Sequence, residues 1–158
     1  MPVIIARLFN TVGPRQTGRY GMVLPRFIAA AQKNEPLKVF GDGRQTRCFC
    51  HVGDAVEALV RLQRCQKARG EIFNIGGTEE ISILNLARLV VKTLGSKSTI
   101  KIVPYQKAYP ISATGYGVRS VPTFDDMRRR KPQVKKLEQF VKFHPRTSLR
   151  ETIRLTAK

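Results

Sequence analysis

Residues 2–9 read PVIIARLF, an almost continuous apolar run interrupted only by Arg7. A strand with one wet face alternates apolar and polar residues, whereas a strand covered on both faces of a parallel sheet does not. Pro2 to Phe9 is therefore expected to be a buried strand of a parallel sheet. Parallel neighbours are joined by long crossovers, usually helical, and the chain continues in that way. NTVGPRQTGRYG, Asn10 to Gly21, has the composition of a loop. MVLPRFIAAAQK then places Val23, Phe27, Ile28 and Ala31 at helical spacing, with Pro25 near the helix start. PLKVF, Pro36 to Phe40, reads as a short strand ended by Gly41-Asp42-Gly43. GDAVEALVRLQRC reads as a helix with Ala55, Val56, Leu59, Val60 and Leu62 in register and Asp54 in its first turn. EIFNIGG, Glu71 to Gly77, is a second buried strand, and SILNLARLVVKTLG a helix between a Ser82 cap and a Gly95 stop. TIKIVPY alternates as a strand, and SLRE, Ser148 to Glu151, has capping-box form and opens a last helix, Leu149 to Thr156. Residues 107 to 130 form a long irregular segment, expected to be a binding loop or disordered. Strands alternating with helices indicate an α/β protein. The first strand leaves that sheet without its usual earlier neighbours, so its faces and edge are expected to lack cover.

The composition narrows the function classes. At 158 residues, 42% of them hydrophobic and none Trp, the chain has the length of one ordinary domain. No apolar run approaches the roughly 20 residues that span a bilayer, so no membrane partner is expected. The start lacks the basic region and cleavage site of a secretory signal, and a cytoplasmic address is expected. Three cysteines do not make a disulfide framework. Cys48, Cys50, His51 and Cys65 read either as a zinc site or as reduced, packed thiols; the chain has no C-x-x-C pair. The 29 Lys and Arg against 11 Asp and Glu leave a formal charge of +18, which attracts polyanions. These residues are spread along the chain, except for Arg128-Arg129-Arg130-Lys131 with Lys135-Lys136. A solvated basic surface and a nucleic-acid surface are both open, although no recognised nucleic-acid motif accompanies the charge.

Polar groups that follow apolar strands stand where an α/β sheet builds its ligand crevice. Asn10 follows the first strand and is suited either to a ligand or to its own loop backbone. Arg44 and Arg47 follow the Gly-Asp-Gly turn in GDGRQTRCFCHVGD, residues 41–54, and Arg129 and Arg130 precede Pro132. A guanidinium offers a planar fork that matches phosphate oxygens. Together these arginines point to a pocket for a small dianion such as a diphosphate.

The ordered series RLFNTVGPR, PLKVFGDGRQTRCFCHVGDAVEAL, FNIGGTEEISILNLARLV, DDMRRRKPQV and SLRETI resembles the C-terminal half of the extended short-chain dehydrogenases. These are the NAD-dependent nucleotide-sugar epimerases and dehydratases, and the series is similar also to UDP-glucuronate decarboxylases. The likeness runs from Val3 to about Thr156. It implies an α/β fold with part of a Rossmann-like parallel sheet and a smaller substrate-binding domain. Residues 1–158 would then be the C-terminal portion of such an enzyme. The first strand and the region around 52–95 would lie in the Rossmann layer, and roughly 10–50 and 99–158 in the substrate-binding part. The resemblance implies that Asn10, Val39, Phe40, Arg47 and Arg130 contact a UDP- or dTDP-sugar, with Arg47 on the diphosphate and Arg130 also an assisting residue near the reacting sugar. It places Leu8 near the nicotinamide, assigns no metal, and reads Asp54 as a helix-start residue. Three positions depart from the pattern: Val12 and His51 stand where Tyr is common, and Gln133 replaces an acidic residue that would have oriented Arg130.

The family's reaction uses NAD, held at a Gly-x-x-Gly-x-x-Gly turn, and a tyrosine base beside a lysine in Tyr-x-x-x-Lys. Neither motif occurs in these 158 residues. The expectation is a substrate-binding half, inactive alone, with NAD belonging to the complete enzyme and none to this chain by itself. The expected partners are a nucleotide diphospho-sugar, an N-terminal Rossmann half that is separate or missing, and a second copy in a homodimer. A non-catalytic sugar-nucleotide binding or partner-docking module is the alternative, and a basic nucleic-acid-binding protein a further one.

Overall fold

The computed structural model describes residues 2–16, 18, 22–104 and 127–158. Strand β1, Ile5–Leu8, pairs in parallel with β6, Ile72–Ile75, from Ile5 opposite Ile72 to Leu8 opposite Ile75. Strand β3, Leu37–Phe40, pairs in parallel with β8, Ile100–Val103. Two short strands inside expected loops add a third parallel pair: β2, Thr11–Val12, lies beside β5, Cys50–His51. A three-stranded sheet has β4, Thr46–Cys48, at its centre. Strand β7, Glu80–Ser82, flanks it antiparallel and β9, Arg129–Arg130, flanks it in parallel.

The helices form where periodicity and end signals agree. In α1, Val23–Gln32, Leu24, Phe27, Ile28 and Ala31 are buried and Pro25 sits in the first turn, where its missing N–H breaks no helical bond. In α2, Val52–Arg64, the cap is His51, whose Nδ1 accepts the Gly53 N–H at 3.1 Å, and Asp54 stands in the first turn as expected. In α3, Ile83–Leu94, Ser82 Oγ accepts the Asn85 N–H at 3.2 Å, and Gly95 ends the helix at φ 62°, which glycine adopts without a Cβ clash. Helix α5, Leu149–Thr156, starts on the Ser148 hydroxyl, which accepts the Glu151 N–H. Helix α4, Lys135–Val141, was not expected, because its seven residues bury only Leu137. It packs through Leu137, Phe140 and Val141, and Lys136 Nζ lies 2.6 Å from Glu71 Oε2 and over the Phe73 and Phe140 rings.

Two apolar clusters result. One joins α1, β3, α3 and α5 through residues such as Leu24, Phe27, Leu37, Val39, Leu86, Val90 and Ile153. The other joins α2, β6 and α4 through Ala55, Ala58, Leu62, Phe73, Ile75 and Leu137. Three expectations need correction. Strand β1 is not covered on both faces: Ile4 and Ala6 pack against the second cluster, while Ile5 is 50% and Leu8 48% exposed, and β6 is its one strand neighbour among the described residues. In α2, Ala58 is buried, whereas Val56, Leu59 and Val60 face outward beside Val52. The segment expected to be irregular ends in a strand at Arg129–Arg130, and its residues 107–126 lie outside the described residues. Among the described residues no helix is long and apolar enough to cross a membrane.

Candidate functional site

Several of the polar residues singled out in the sequence are linked beyond the end of β1: Asn10 follows β1 and bonds to Cys48 of β4, and β9, which carries Arg129 and Arg130, pairs with β4 beside Arg47. Asn10 turns the chain at a left-handed φ of 40°, a conformation Asn tolerates better than most residues. Its Nδ2 donates to the Cys48 carbonyl at 2.7 Å, and its own carbonyl accepts the Cys50 N–H at 3.2 Å. Asn10 thus fastens the end of β1 to the β4–β5 segment, which is the local-backbone role; Oδ1 has no partner among the described residues.

Strand β4 carries two chemically different faces. Thr46 and Cys48 point one way, with Glu80 opposite Cys48 and Arg129 opposite Thr46. Glu80 accepts the Thr46 hydroxyl at 2.6 Å and a fork from Arg129, Nε and Nη2 each at 2.9 Å. The Arg129 bonds, then the Thr46 bond, hold the Glu80 carboxyl below the usual carboxylate range. On the other face Arg47 lies between Ile81 and Arg130, which are its register partners. Arg47 Nη1 donates to the carbonyls of Thr46 and Met127 at 2.7 and 2.8 Å. Arg130 is exposed, with its Cζ 5.4 Å from the centre of the Phe9 ring, and makes no ion pair among the described residues. Like charges directly opposite each other on one sheet face repel. A bound anion removes that repulsion, and two guanidinium forks match the oxygens of a diphosphate.

The remaining predicted residues are placed as follows. Val39 is wholly buried against the Gly43 turn, so its side chain presents nothing to solvent. Phe40 is partly buried, with Arg26 5.6 Å from its ring centre. Leu8 is exposed at the end of β1. Arg44 is exposed, its N–H taken by Asp42 Oδ1 in the turn at 2.9 Å. Asp54 reaches from α2 to accept the Thr147 N–H at 3.0 Å. Val12 and His51, two of the departures from the family pattern, are register partners in the β2–β5 pair.

Cys48 and Cys50 are buried thiols. Burial, and then the charge of Asp54, pushes Cys50 up to about 12, and burial chiefly raises Cys48. Among the described residues no three His, Cys, Asp or Glu side chains cluster as metal ligands do. Two open clefts, about 530 Å³ between α2 and α4 and about 300 Å³ beside His51, Asp54 and Phe143, are not lined by Arg47 or Arg130.

Sequence reasoning missed Thr46, Glu80, Phe9 and Gly76. Only the register of β4 with β7 and β9 makes Thr46 and Glu80 partners of Arg129. A Cβ on Gly76 would lie 2.8 Å from Phe9 Cβ and 2.9 Å from Pro132 Cγ, and one on Gly77 2.1 Å from the Phe49 carbonyl oxygen. The two glycines are what lets β6 end this close to β1 and β4.

Comparison with known proteins follows the same geometry. Residues 1–76 match the family described as the NAD dependent epimerase/dehydratase family. A UDP-N-acetyl-alpha-D-glucosaminuronate decarboxylase of Bacillus cytotoxicus is 44% identical over 97% of this chain and 46% of its own length. UDP-glucuronic acid decarboxylase 2 of Arabidopsis thaliana is 36% identical over 99% of this chain and 31% of its own. Among solved structures, an epimerase of Methanothermobacter thermautotrophicus superposes with a TM-score of 0.83 at 26% identity, covering 99% of this chain and 42% of that one. UDP-glucuronic acid 4-epimerase of Bacillus cereus, solved with UDP-glucuronic acid and NAD, superposes with a TM-score of 0.79 at 28% identity, covering 99% and 44%. The chain spans less than half the length of these relatives.

Proposed function

The chain belongs to the NAD-dependent epimerase/dehydratase family, and on that premise we propose that it forms the substrate-side half of a nucleotide-sugar enzyme. In this reading Arg47 and Arg130 hold the diphosphate of a UDP- or dTDP-sugar, and Asn10 Oδ1 faces the sugar. The carrying observation is that Arg47 and Arg130 are register partners on one face of β4 and β9. Two guanidinium groups side by side on one sheet face offer a matched pair of forks to a diphosphate. A uridine nucleotide is the first choice, because these relatives are named for UDP-sugars.

The chain's own residues do not fit a dinucleotide. The 158 residues hold no Gly-x-x-Gly-x-x-Gly turn to receive a pyrophosphate and no Tyr-x-x-x-Lys pair to act as base. The exposed Leu8 at the end of β1 is what they offer toward a nicotinamide. NAD, the base and the hydride-transfer step therefore belong to a Rossmann half outside these residues. On this reading β1, β6 and α2 continue that half, and the β3–β8 pair and the β4 sheet form the substrate part. The outward faces of β1 and α2, with Val3, Ile5, Val56 and Leu59 exposed, support such a continuation.

The test is calorimetric titration of the 158-residue chain with UDP and UDP-glucuronic acid. Charge-assisted bonds are worth about 1.5–3 kcal/mol each, so Arg47→Ala and Arg130→Ala should each weaken binding about tenfold or more. Equal binding by Arg47→Ala removes that residue from the site. Sugar conversion by the purified chain alone would refute the assignment of catalysis to a separate half. A non-catalytic binding module predicts the same affinities but no gain of turnover when the N-terminal half of a relative is added. Binding to unrelated duplex DNA as tight as to UDP would favour the polyanion reading instead.

A further inference from the structure

Arg129 and Arg130 are sequence neighbours on opposite faces of β9, and they are held in different ways. Arg129 is anchored by a carboxylate, Glu80, which takes two of its N–H groups and offsets its charge. Arg130 has an aromatic ring, with its Cζ 5.4 Å from the centre of Phe9. We propose that Phe9 is the positioning residue for Arg130, aiming the guanidinium at the anion site while leaving its charge and N–H donors uncommitted.

Phe9 is itself fixed. Its N–H donates to the Ile75 carbonyl at 2.8 Å, and Asn10, next in the chain, is tied to Cys48. The bare Gly76 backbone fits between Phe9 and Pro132, each within 3 Å of where a Cβ would stand. The ring and the segment that carries Arg130 are thus clamped about one glycine. Gln133, where an acid was expected to orient Arg130, faces elsewhere: its Oε1 accepts the Lys135 N–H at 3.1 Å, and its carbonyl accepts from Asn74 Nδ2. The choice of group matters chemically. A carboxylate fixes an arginine by occupying a pair of donors and cancelling its charge, whereas a ring face attracts the cation and does neither. Beside Arg47, the second arrangement keeps the full charge of Arg130 on that face of the sheet.

The inference rests on the diphosphate reading of Arg47 and Arg130, and its test separates the two. In the ligand-free 158-residue chain, the Arg130 side-chain protons, assigned with Arg130→Lys, should be shifted upfield by the Phe9 ring. The shift should persist in Phe9→Tyr and vanish in Phe9→Leu. Unshifted Arg130 protons in the unsubstituted chain overturn the proposal even if Phe9→Leu does not fold. With UDP as probe, Phe9→Leu should weaken binding about two- to fivefold, Phe9→Tyr should restore it, and Phe9→Leu should add nothing in an Arg130→Ala background. Equal weakening in that background makes Phe9 a structural residue and overturns the proposal. If the unsubstituted chain does not bind UDP, the diphosphate reading fails, and the ring-current shift still decides whether Phe9 positions Arg130.

Discussion

Replacing Gly77 by alanine tests the seam on which the candidate site is built. The added Cβ would stand 2.1 Å from the Phe49 carbonyl oxygen and 3.1 Å from its carbon. Non-bonded contacts settle near 3.5 Å, so β6 or the β4–β5 segment must move by roughly 1 Å. The blocking atoms are backbone, and Cys50, the next residue, is bonded through its N–H to Asn10, so no side-chain rotation relieves the clash. Overpacking of this kind costs about 1–3 kcal/mol and sometimes more. Alanine recovers only about 0.4–1 kcal/mol by restricting the unfolded chain. A net loss of about 1–2 kcal/mol is expected. Gly95→Ala is the control: its Cβ meets nothing within 4 Å, and only the φ of 62° opposes it, at about 1–2 kcal/mol. Urea unfolding at 25 °C, followed by circular dichroism with the two variants side by side, measures both. If Gly77→Ala lies within about 0.5 kcal/mol of the unsubstituted chain, β6 does not meet Phe49 as described and the seam argument fails.

Three further outcomes are expected. Cys50 titrates near 12 in the folded chain against about 9 when unfolded, so its contribution is intact below pH 9 and is lost as pH rises from about 9 to 12, with a slope on the order of 1 kcal/mol per pH unit; Cys50→Ala should flatten that part of the alkaline unfolding curve, and an unchanged slope would contradict the burial of the thiol. Glu80 is depressed by Arg129 and Thr46, so its contribution is present above about pH 4.5 and is lost as pH falls through its lower folded value; Glu80→Gln should be less acid-sensitive than the unsubstituted chain, and equal acid profiles would mean that the Arg129 fork does not form. The 158-residue chain alone should bind a hydrophobic dye and self-associate through Val3, Ile5, Leu8 and Ile72, all at least 40% exposed, and Ile5→Lys should reduce both; a monodisperse, dye-silent monomer would show that this face is covered in some other way.

Elements with a strong period were legible before the structure: α1, α3 and α5 with their end signals, and the apolar strands β1, β3, β6 and β8. What the sequence concealed were elements whose partners are remote. Thr46, Glu80 and Arg129 become one network only through the register of β4 with β7 and β9, and register is a property of the assembled sheet. Helix α4 was missed because its apolar stripe, Leu137, Phe140 and Val141, is too short within seven residues to show a period, although it packs against the second cluster. In α2 the apolar residues outnumber those that are buried, since periodicity shows which face is apolar but not whether anything lies against it. The arginines of the site were visible as phosphate-type residues, but that Arg47 and Arg130 stand side by side was not.

The parallel pairing of β1 with β6 also sets the order in which the chain can fold. Ile5 is made well before Ile72, its partner in this pair. At about 5–20 residues per second this is a wait on the order of ten seconds. Strand β3 waits similarly for β8, and non-local parallel pairing is intrinsically slow to nucleate. During that interval the apolar segment PVIIARLF lacks β6 along one edge, and an open apolar edge is the kind of sequence that chaperones bind and that other unfinished chains pair with. The yield of folded chain should therefore depend on translation rate and on chaperone supply more than on the final stability of the sheet.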